Sequence, residues 1–148
     1  MIKQQIDADI KKAMLGGDKQ LVSALRNLKS AILYAEVAAG KKEEGLPETD
    51  VVALLQKEAK KRQESAEMYK AGGAPDKAAA EEYEKNIIAG YLPEAMSEAD
   101  VEKLIDEAVE SVGELSRQTM GQVIGFVKSK AGGSVDGGTV AKLVQKRL

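Results

Sequence analysis

The residues that decide the fold are 21–35, LVSALRNLKSAILYA, in which apolar side chains recur every three or four positions. Because an α-helix has 3.6 residues per turn, this spacing places the apolar side chains on one face. The seam consists of Leu21, Leu25, Leu28, Ile32 and Ala35. The stretch predicts an amphipathic helix that packs against other helices, with Asp18 as its N-cap and Gly40 just after its end.

Helical spacing of the same kind continues along the rest of the 148 residues. Glycine or proline interrupts it at 16–17, 40–47, 72–75, 93, 113 and 132–138. No segment has the alternating period of a β-strand. Aromatic residues make up only 3% of the chain, so Ala, Leu, Ile and Val must form the core. We therefore predict an all-α protein.

The best boundary between two helical parts lies at Pro93. Proline stops the fourth predicted helix, and Ser97 with Asp100 three residues later forms the capping pattern of the fifth. We predict an N-terminal helical hairpin or bundle domain at residues 1–93 and a small three-helix domain at residues 94–148. The second has about 55 residues, which is near the size where a single core becomes marginal.

The composition restricts the chemistry that this chain can perform. It has no cysteine and no histidine, which excludes thiolate nucleophiles and cysteine-based metal sites and removes the commonest general base. No spacing of carboxylates singles out an acid–base pair or a metal loop. We predict no catalytic residues, no metal and no cofactor, although carboxylates, lysines, tyrosines and hydroxyls leave an enzyme open.

No membrane segment is expected. No apolar run reaches the roughly 18 residues needed to cross a bilayer, and charges interrupt the first seven residues, which excludes a secretory leader there. We therefore expect a cytoplasmic protein without a membrane partner.

The distribution of charge is uneven in the last third of the chain. Residues 91–116 hold eight acidic residues and one basic residue, for a charge of -7, whereas residues 117–148 hold six basic residues and one acidic residue, for +5. The candidate nucleic-acid-binding residues are Lys128, Lys130, Lys142, Lys146 and Arg147, with the last three on the polar side of the final helix. One interpretation is a phosphate-binding patch for RNA, and the other is an ordinary solvated face.

Two groups of glycines could allow a close approach to the backbone. Gly121 and Gly125 share one face of the sixth helix and each costs about 1 kcal/mol relative to alanine, so either another helix or a ligand backbone is expected against them. Gly132 and Gly133 belong to a glycine-rich segment that lacks the Lys-Ser/Thr of a P-loop. The plainer interpretation of that segment is a flexible turn with Asp136 or Thr139 as the following cap.

A structural ion pair is predicted on the third helix. Glu58 lies four residues before Arg62, which is the favourable orientation for a pair on one helix. Because Arg62 falls on the apolar seam, its side chain could also reach a carboxylate of another helix, such as Glu81 or Glu84.

Several of these segments together resemble a known family. They are residues 24–32 (ALRNLKSAI), the set Glu58, Lys60, Arg62 and Ser65, residues 91–93 (YLP), and residues 120–123 (MGQV) followed by Asp136-Gly137. In this order and spacing, over essentially the whole chain, they resemble the YqeY-like proteins of the GatB/YqeY group. One departure is that residues 132–134 read Gly-Gly-Ser, where the family usually has a basic residue on each side of a glycine.

The resemblance implies an N-terminal helical domain and a C-terminal domain similar to the tail of the GatB subunit of tRNA-dependent amidotransferase. It also implies a label of carbon–nitrogen ligase with glutamine as amido donor, and a role for the tail in tRNA recognition while other chains perform the chemistry. The expected partner is tRNA or a tRNA-processing complex, and no DNA partner is expected. The alternatives are an amidotransferase component, and a protein–protein adaptor that uses the acidic fifth helix.

Overall fold

The computed structural model describes residues 1–148 and is all-α, which confirms the predicted fold class. The helices are α1 (Ile2–Leu15), α2 (Lys19–Ala38), α3 (Glu48–Ala71), α4 (Pro75–Ala89), α5 (Glu98–Val112), α6 (Met120–Ala131) and α7 (Gly137–Gln145), with a 3₁₀ turn at Gly132–Ser134. None of them has both the length and the apolar character of a membrane span.

The chain divides into two compact units, Met1–Leu92 and Pro93–Leu148. Compactness alone does not establish that either unit folds without the other, so independent domains at 1–93 and 94–148 stay a prediction.

The first unit consists of two helical hairpins, α1–α2 and α3–α4. The seam of α2 points inward: Leu25, Leu28 and Ile32 are each at most 5% exposed. Its shared apolar core is formed by Ile2, Ile6, Leu28, Ile32, Val51, Leu55 and Ile88. Asp18 Oδ1 accepts a hydrogen bond from the Leu21 amide at 3.1 Å, which confirms its predicted role as the N-cap.

One charged residue lies within this unit's interior. Glu36, near the end of α2, is only 1% exposed. Its Oε1 lies 2.8 Å from Lys3 Nζ, and its Oε2 accepts a 3.4 Å hydrogen bond from the Leu46 amide. Glu36 therefore joins the start of α1 and the loop before α3 to the end of α2.

The second unit packs α5, α6 and α7 around its own core. Its buried members are Val101, Ile105, Ala108, Val123, Val127, Val135, Val140, Leu143 and Val144. Ser97 Oγ caps α5 by accepting a hydrogen bond from the Asp100 amide at 3.1 Å. Asp136 Oδ1 caps α7 by accepting one from the Thr139 amide at 3.0 Å. These caps fix where α5 and α7 begin.

Candidate nucleic-acid interface

The predicted nucleic-acid-binding residues occupy three different settings within the second unit. Lys142 and Lys146 are exposed on the outer face of α7, opposite its buried residues Val140, Leu143 and Val144. At 1.5 Å rise per residue, their four-residue spacing separates them by about 6 Å along the helix axis.

Lys128 of α6 reaches across to the start of α7. Its Nζ lies 3.5 Å, and its Cδ 3.6 Å, from the position that a Cβ on Gly137 would occupy. The missing side chain of Gly137 therefore leaves room for the lysine stem. Lys142 follows Gly137 by five residues, about 7.5 Å along the axis and about 140° around it, so Lys128 approaches a different side of α7 from Lys142. We use the name lysine row for these three exposed lysines of the second unit, Lys128, Lys142 and Lys146.

Lys130 has a separate environment. Its Nζ lies 5.7 Å from the centroid of the Phe126 ring, which is one turn earlier on α6 and is partly buried against the core. At this distance the ring attracts the ammonium group. Lys130 is exposed but is not part of the lysine row.

Arg147 differs most from its predicted setting, because it does not lie on the polar side of α7. It follows Leu143 by four residues and Val144 by three, so it continues the buried face toward α5. Its Nη1 lies 2.6 Å from Asp106 Oδ1, and its Nε donates to Glu102 Oε2 at 3.1 Å. The hydrogen bonds that Arg147 donates to Glu102 and then to Asp106 raise the pKa of Arg147. Part of the basic segment is thus neutralised by the acidic helix.

The glycines of α6 do not lie against another helix, so the prediction of close helix packing was wrong. A Cβ built on Gly121 or Gly125 meets no atom within 4 Å, and both residues are exposed. Lys128 follows Gly125 by three residues on the same face. The other predicted reason, close approach of a ligand backbone, stays a prediction.

The turn before α7 needs a glycine at one defined place. Gly132 has φ of 59°, in the left-handed region, and a Cβ there would meet open space. Gly133 follows it within the 3₁₀ turn. Gly132 is therefore explained by backbone conformation and not by crowding.

Arg62 of α3 pairs with Glu81 and Glu84 of α4, which confirms the alternative expectation, whereas the prediction of a Glu58–Arg62 pair was wrong. Arg62 Nη1 lies 3.2 Å from Glu81 Oε2, and its Nε lies 3.2 Å from Glu84 Oε2 at an angle unsuited to a hydrogen bond. Glu58 pairs with Lys61 at 3.6 Å instead. Because Arg62 faces α4, it pairs with the two carboxylates of that helix and not with Glu58.

Sequence reasoning missed two polar contacts that join distant segments. Tyr91 Oη donates a 2.5 Å hydrogen bond to Asp9 Oδ2 across 82 positions of sequence, and Lys3 pairs with Glu36 across 33. Neither pairing has a local sequence signal, because each depends on how the helices pack. No group of three or more acidic side chains is arranged to hold a metal ion.

Comparison with known proteins gives two findings. The family model described as "Yqey-like protein" matches residues 3–148. The "Altered inheritance of mitochondria protein 41, mitochondrial" of Pyrenophora tritici-repentis (strain Pt-1C-BFP) is 25% identical over 151 residues, which covers 99% of this chain and 80% of that protein. The similarity thus extends across both units.

Proposed function

The chain belongs to the YqeY-like family, and from this premise we propose that it is a helical accessory module that binds the phosphate backbone of structured RNA, tRNA in particular. The observation that carries the proposal is the lysine row. Lys128 of α6, Lys142 of α7 and Lys146 directly after α7 present three exposed ammonium groups in the second unit, while the neighbouring Arg147 is held by α5. Lysine recognises phosphate as a point charge.

The exposed glycine face of α6 supports the same site. Gly121 and Gly125 have no neighbour within 4 Å of a built Cβ and lead along the helix to Lys128. A backbone without side chains lets a sugar–phosphate strand come closer to the helix, where the Lys128 ammonium group can reach it. The cost of two helical glycines then has a functional reason.

Backbone recognition fits better than recognition of unpaired bases. Phe126 is the one phenylalanine of the chain, and it is partly buried beneath Lys130. Single-stranded nucleic acids are usually held by exposed aromatic stacking platforms. Structured RNA can be recognised through its shape and phosphates.

The same proposal extends to the reaction in which the chain takes part and to its cellular location. The chain would serve a tRNA-dependent amidotransferase or a similar glutamine-dependent carbon–nitrogen ligase as a binding component, with the reaction performed by other chains. Its cytoplasmic location is likewise a proposal. The relative from Pyrenophora tritici-repentis has "mitochondrial" in its name, which describes that protein.

A second candidate function is a protein–protein adaptor, and the outer face of α5 favours it. Asp100, Glu107 and Glu110 are exposed opposite the buried Val101, Ile105 and Ala108. This face has the charge to meet a basic partner. Under this alternative the lysine row would be only a solvated face.

Binding of fluorescent tRNA in a low-salt titration tests the proposal. We expect a Kd of about 1–100 μM, in or tighter than the non-specific nucleic-acid range. Replacing Lys128, Lys142 and Lys146 together by alanine should weaken binding by about tenfold or more. The matched control replaces Lys11, Lys42 and Lys57, three exposed lysines of the first unit, and should leave the Kd within about twofold of the unaltered chain.

Equal weakening by both triple variants would mean that only net charge matters. If tRNA does not bind with a Kd below about 100 μM, the RNA proposal is contradicted and the adaptor function remains.

A further inference from the structure

The first unit contains a cleft that the RNA proposal does not use. The cleft has a volume of about 620 Å³ and lies between α1, the beginning of α2 and the end of α4. Small-molecule sites usually have volumes of roughly 300–1,000 Å³. The size therefore suits a ligand well beyond a single ion or water molecule.

One end of the cleft presents a carboxylate that is already oriented. Tyr91 Oη donates its hydrogen bond to Asp9 Oδ2 at 2.5 Å, which leaves Asp9 Oδ1 able to accept another. Burial and this hydrogen bond raise the pKa of Tyr91, so the phenol stays protonated and remains the donor. A ligand that donates hydrogen bonds is therefore complementary to Asp9.

Other charges around the cleft also favour a cation. Asp18 lines it, and Gly90 lies at the carboxyl end of α4, which is the partially negative end of the helix dipole. Lys12 is the lysine of the lining, and it is exposed. The formal charges of Asp9, Asp18 and Lys12 give the cleft a net negative charge.

The floor of the cleft is apolar. It is formed by Leu21, Leu25 and Ile87, and Leu25 is only 1% exposed. An alkyl chain on this floor would be removed from water, which favours binding. A ligand with both a cationic end and an aliphatic chain would match the two parts of the cleft.

We propose that this cleft binds a small aliphatic ammonium ion, with its NH₃⁺ group on Asp9 and its alkyl chain over Leu21, Leu25 and Ile87. The ligand class is a small primary amine, such as an alkylamine, a diamine or a basic amino acid. This inference is independent of the RNA proposal, because it concerns different residues and a different ligand.

NMR titration of the ¹⁵N-labelled full chain with n-pentylammonium chloride tests the proposal. We expect saturable shifts of the amides at Asp9, Ile87 and Tyr91, with a Kd on the order of 1–10 mM for a ligand of six non-hydrogen atoms. Methylammonium, 1-pentanol and pentanoate should each bind at least about fivefold more weakly, because each lacks the chain or the positive charge.

Asp9→Asn is the matching variant. Asparagine keeps an acceptor for Tyr91 but loses the charge, so the Kd for n-pentylammonium should rise about fivefold or more. Glu64→Gln is the control, because it removes one negative charge from an exposed position of α3 outside the cleft lining, and it should bind like the unaltered chain.

The ligand series on the unaltered chain keeps the test decisive even if Asp9→Asn unfolds. No saturable shift up to about 50 mM n-pentylammonium, equal binding of 1-pentanol, or an Asp9→Asn variant that folds and binds normally would each overturn the proposal. Weak tRNA binding would have no bearing on it.

Discussion

Arg147 Nη1 lies 2.6 Å from Asp106 Oδ1, so the last basic residue of the chain pairs with the acidic helix α5. The strong charge asymmetry of the last third of the sequence is therefore partly internal to the second unit. The RNA proposal depends instead on three exposed lysines outside this pair, Lys128, Lys142 and Lys146.

The first prediction concerns this pair. Arg147→Ala should lower the free energy of unfolding by about 1 kcal/mol, because the partly exposed ion pairs to Glu102 and Asp106 are lost. Affinity for tRNA should stay within about twofold, since the lysine row is unchanged. Urea denaturation and tRNA titration measure the two effects. A large loss of tRNA affinity with unchanged stability would instead identify Arg147 as an RNA contact.

The second prediction concerns the buried carboxylate of Glu36. Lys3→Met should destabilise the chain by about 2–3 kcal/mol, because it leaves a charge that is 1% exposed without its cation. Adding Glu36→Gln to that variant should restore part of the loss, since a neutral amide is less costly to bury.

Urea denaturation of both variants checks this, with Lys11→Ala as the control for removing an exposed lysine of α1. If Lys3→Met were as stable as Lys11→Ala, the Lys3–Glu36 pair would contribute nothing to the fold.

The third prediction concerns pH. Burial, then the hydrogen bond and charge of Asp9, raise the pKa of Tyr91 above its ordinary value of 10.0. The folded state therefore holds this proton more tightly than the unfolded state. Below pH 10 the phenol is protonated in both states, so the contribution of Tyr91 to stability is lost only as the pH rises above about 10.

Tyr91→Phe should remove this part of the alkaline destabilisation. Urea denaturation at several pH values between about 8 and 11 measures it, because the slope above pH 10 should be shallower in the variant. Identical slopes for the two proteins would show that Tyr91 ionises equally in the folded and unfolded chains.

The fourth prediction separates two kinds of glycine. Gly125→Ala should raise the free energy of unfolding by about 0.5–1 kcal/mol, because alanine favours the helix and its Cβ meets nothing within 4 Å. Gly132→Ala should lower it by about 1–2 kcal/mol, because φ of 59° is strained for alanine. Thermal or urea denaturation compares the two. Destabilisation by Gly125→Ala would mean that this face is packed in solution.

The helical fold could be predicted because its signal is local. Leu25, Leu28 and Ile32 have the period of one helix face, and Asp18 and Ser97 carry the caps that fix helix starts. The position of Arg147 on the buried side could also be predicted from the helical register of α7, since it follows Leu143 by four residues. A count of charge along the chain does not show this setting, because it takes no account of the direction of each side chain around α7.

The remaining contacts could not be predicted because they depend on tertiary packing. Glu36 follows Ile32 by four residues on the buried face of α2, but its partners, Lys3 and the Leu46 amide, come from other segments of the chain. The cleft likewise needs Asp9 and Tyr91, 82 positions apart, to lie side by side. For Gly121 and Gly125 the spacing could be seen in the sequence, but spacing alone could not distinguish a packed helix face from an exposed one.

The salt dependence of tRNA affinity tests the central proposal most directly. Three phosphate contacts from the lysine row predict a slope of log K against log salt of about -2.1 to -2.7 for the unaltered chain, which is about a 20–40-fold loss between 50 and 200 mM salt. In the variant without Lys128, Lys142 and Lys146 the slope should fall close to zero. A slope that is equally steep in both proteins would contradict the assignment of the RNA-binding site to the lysine row.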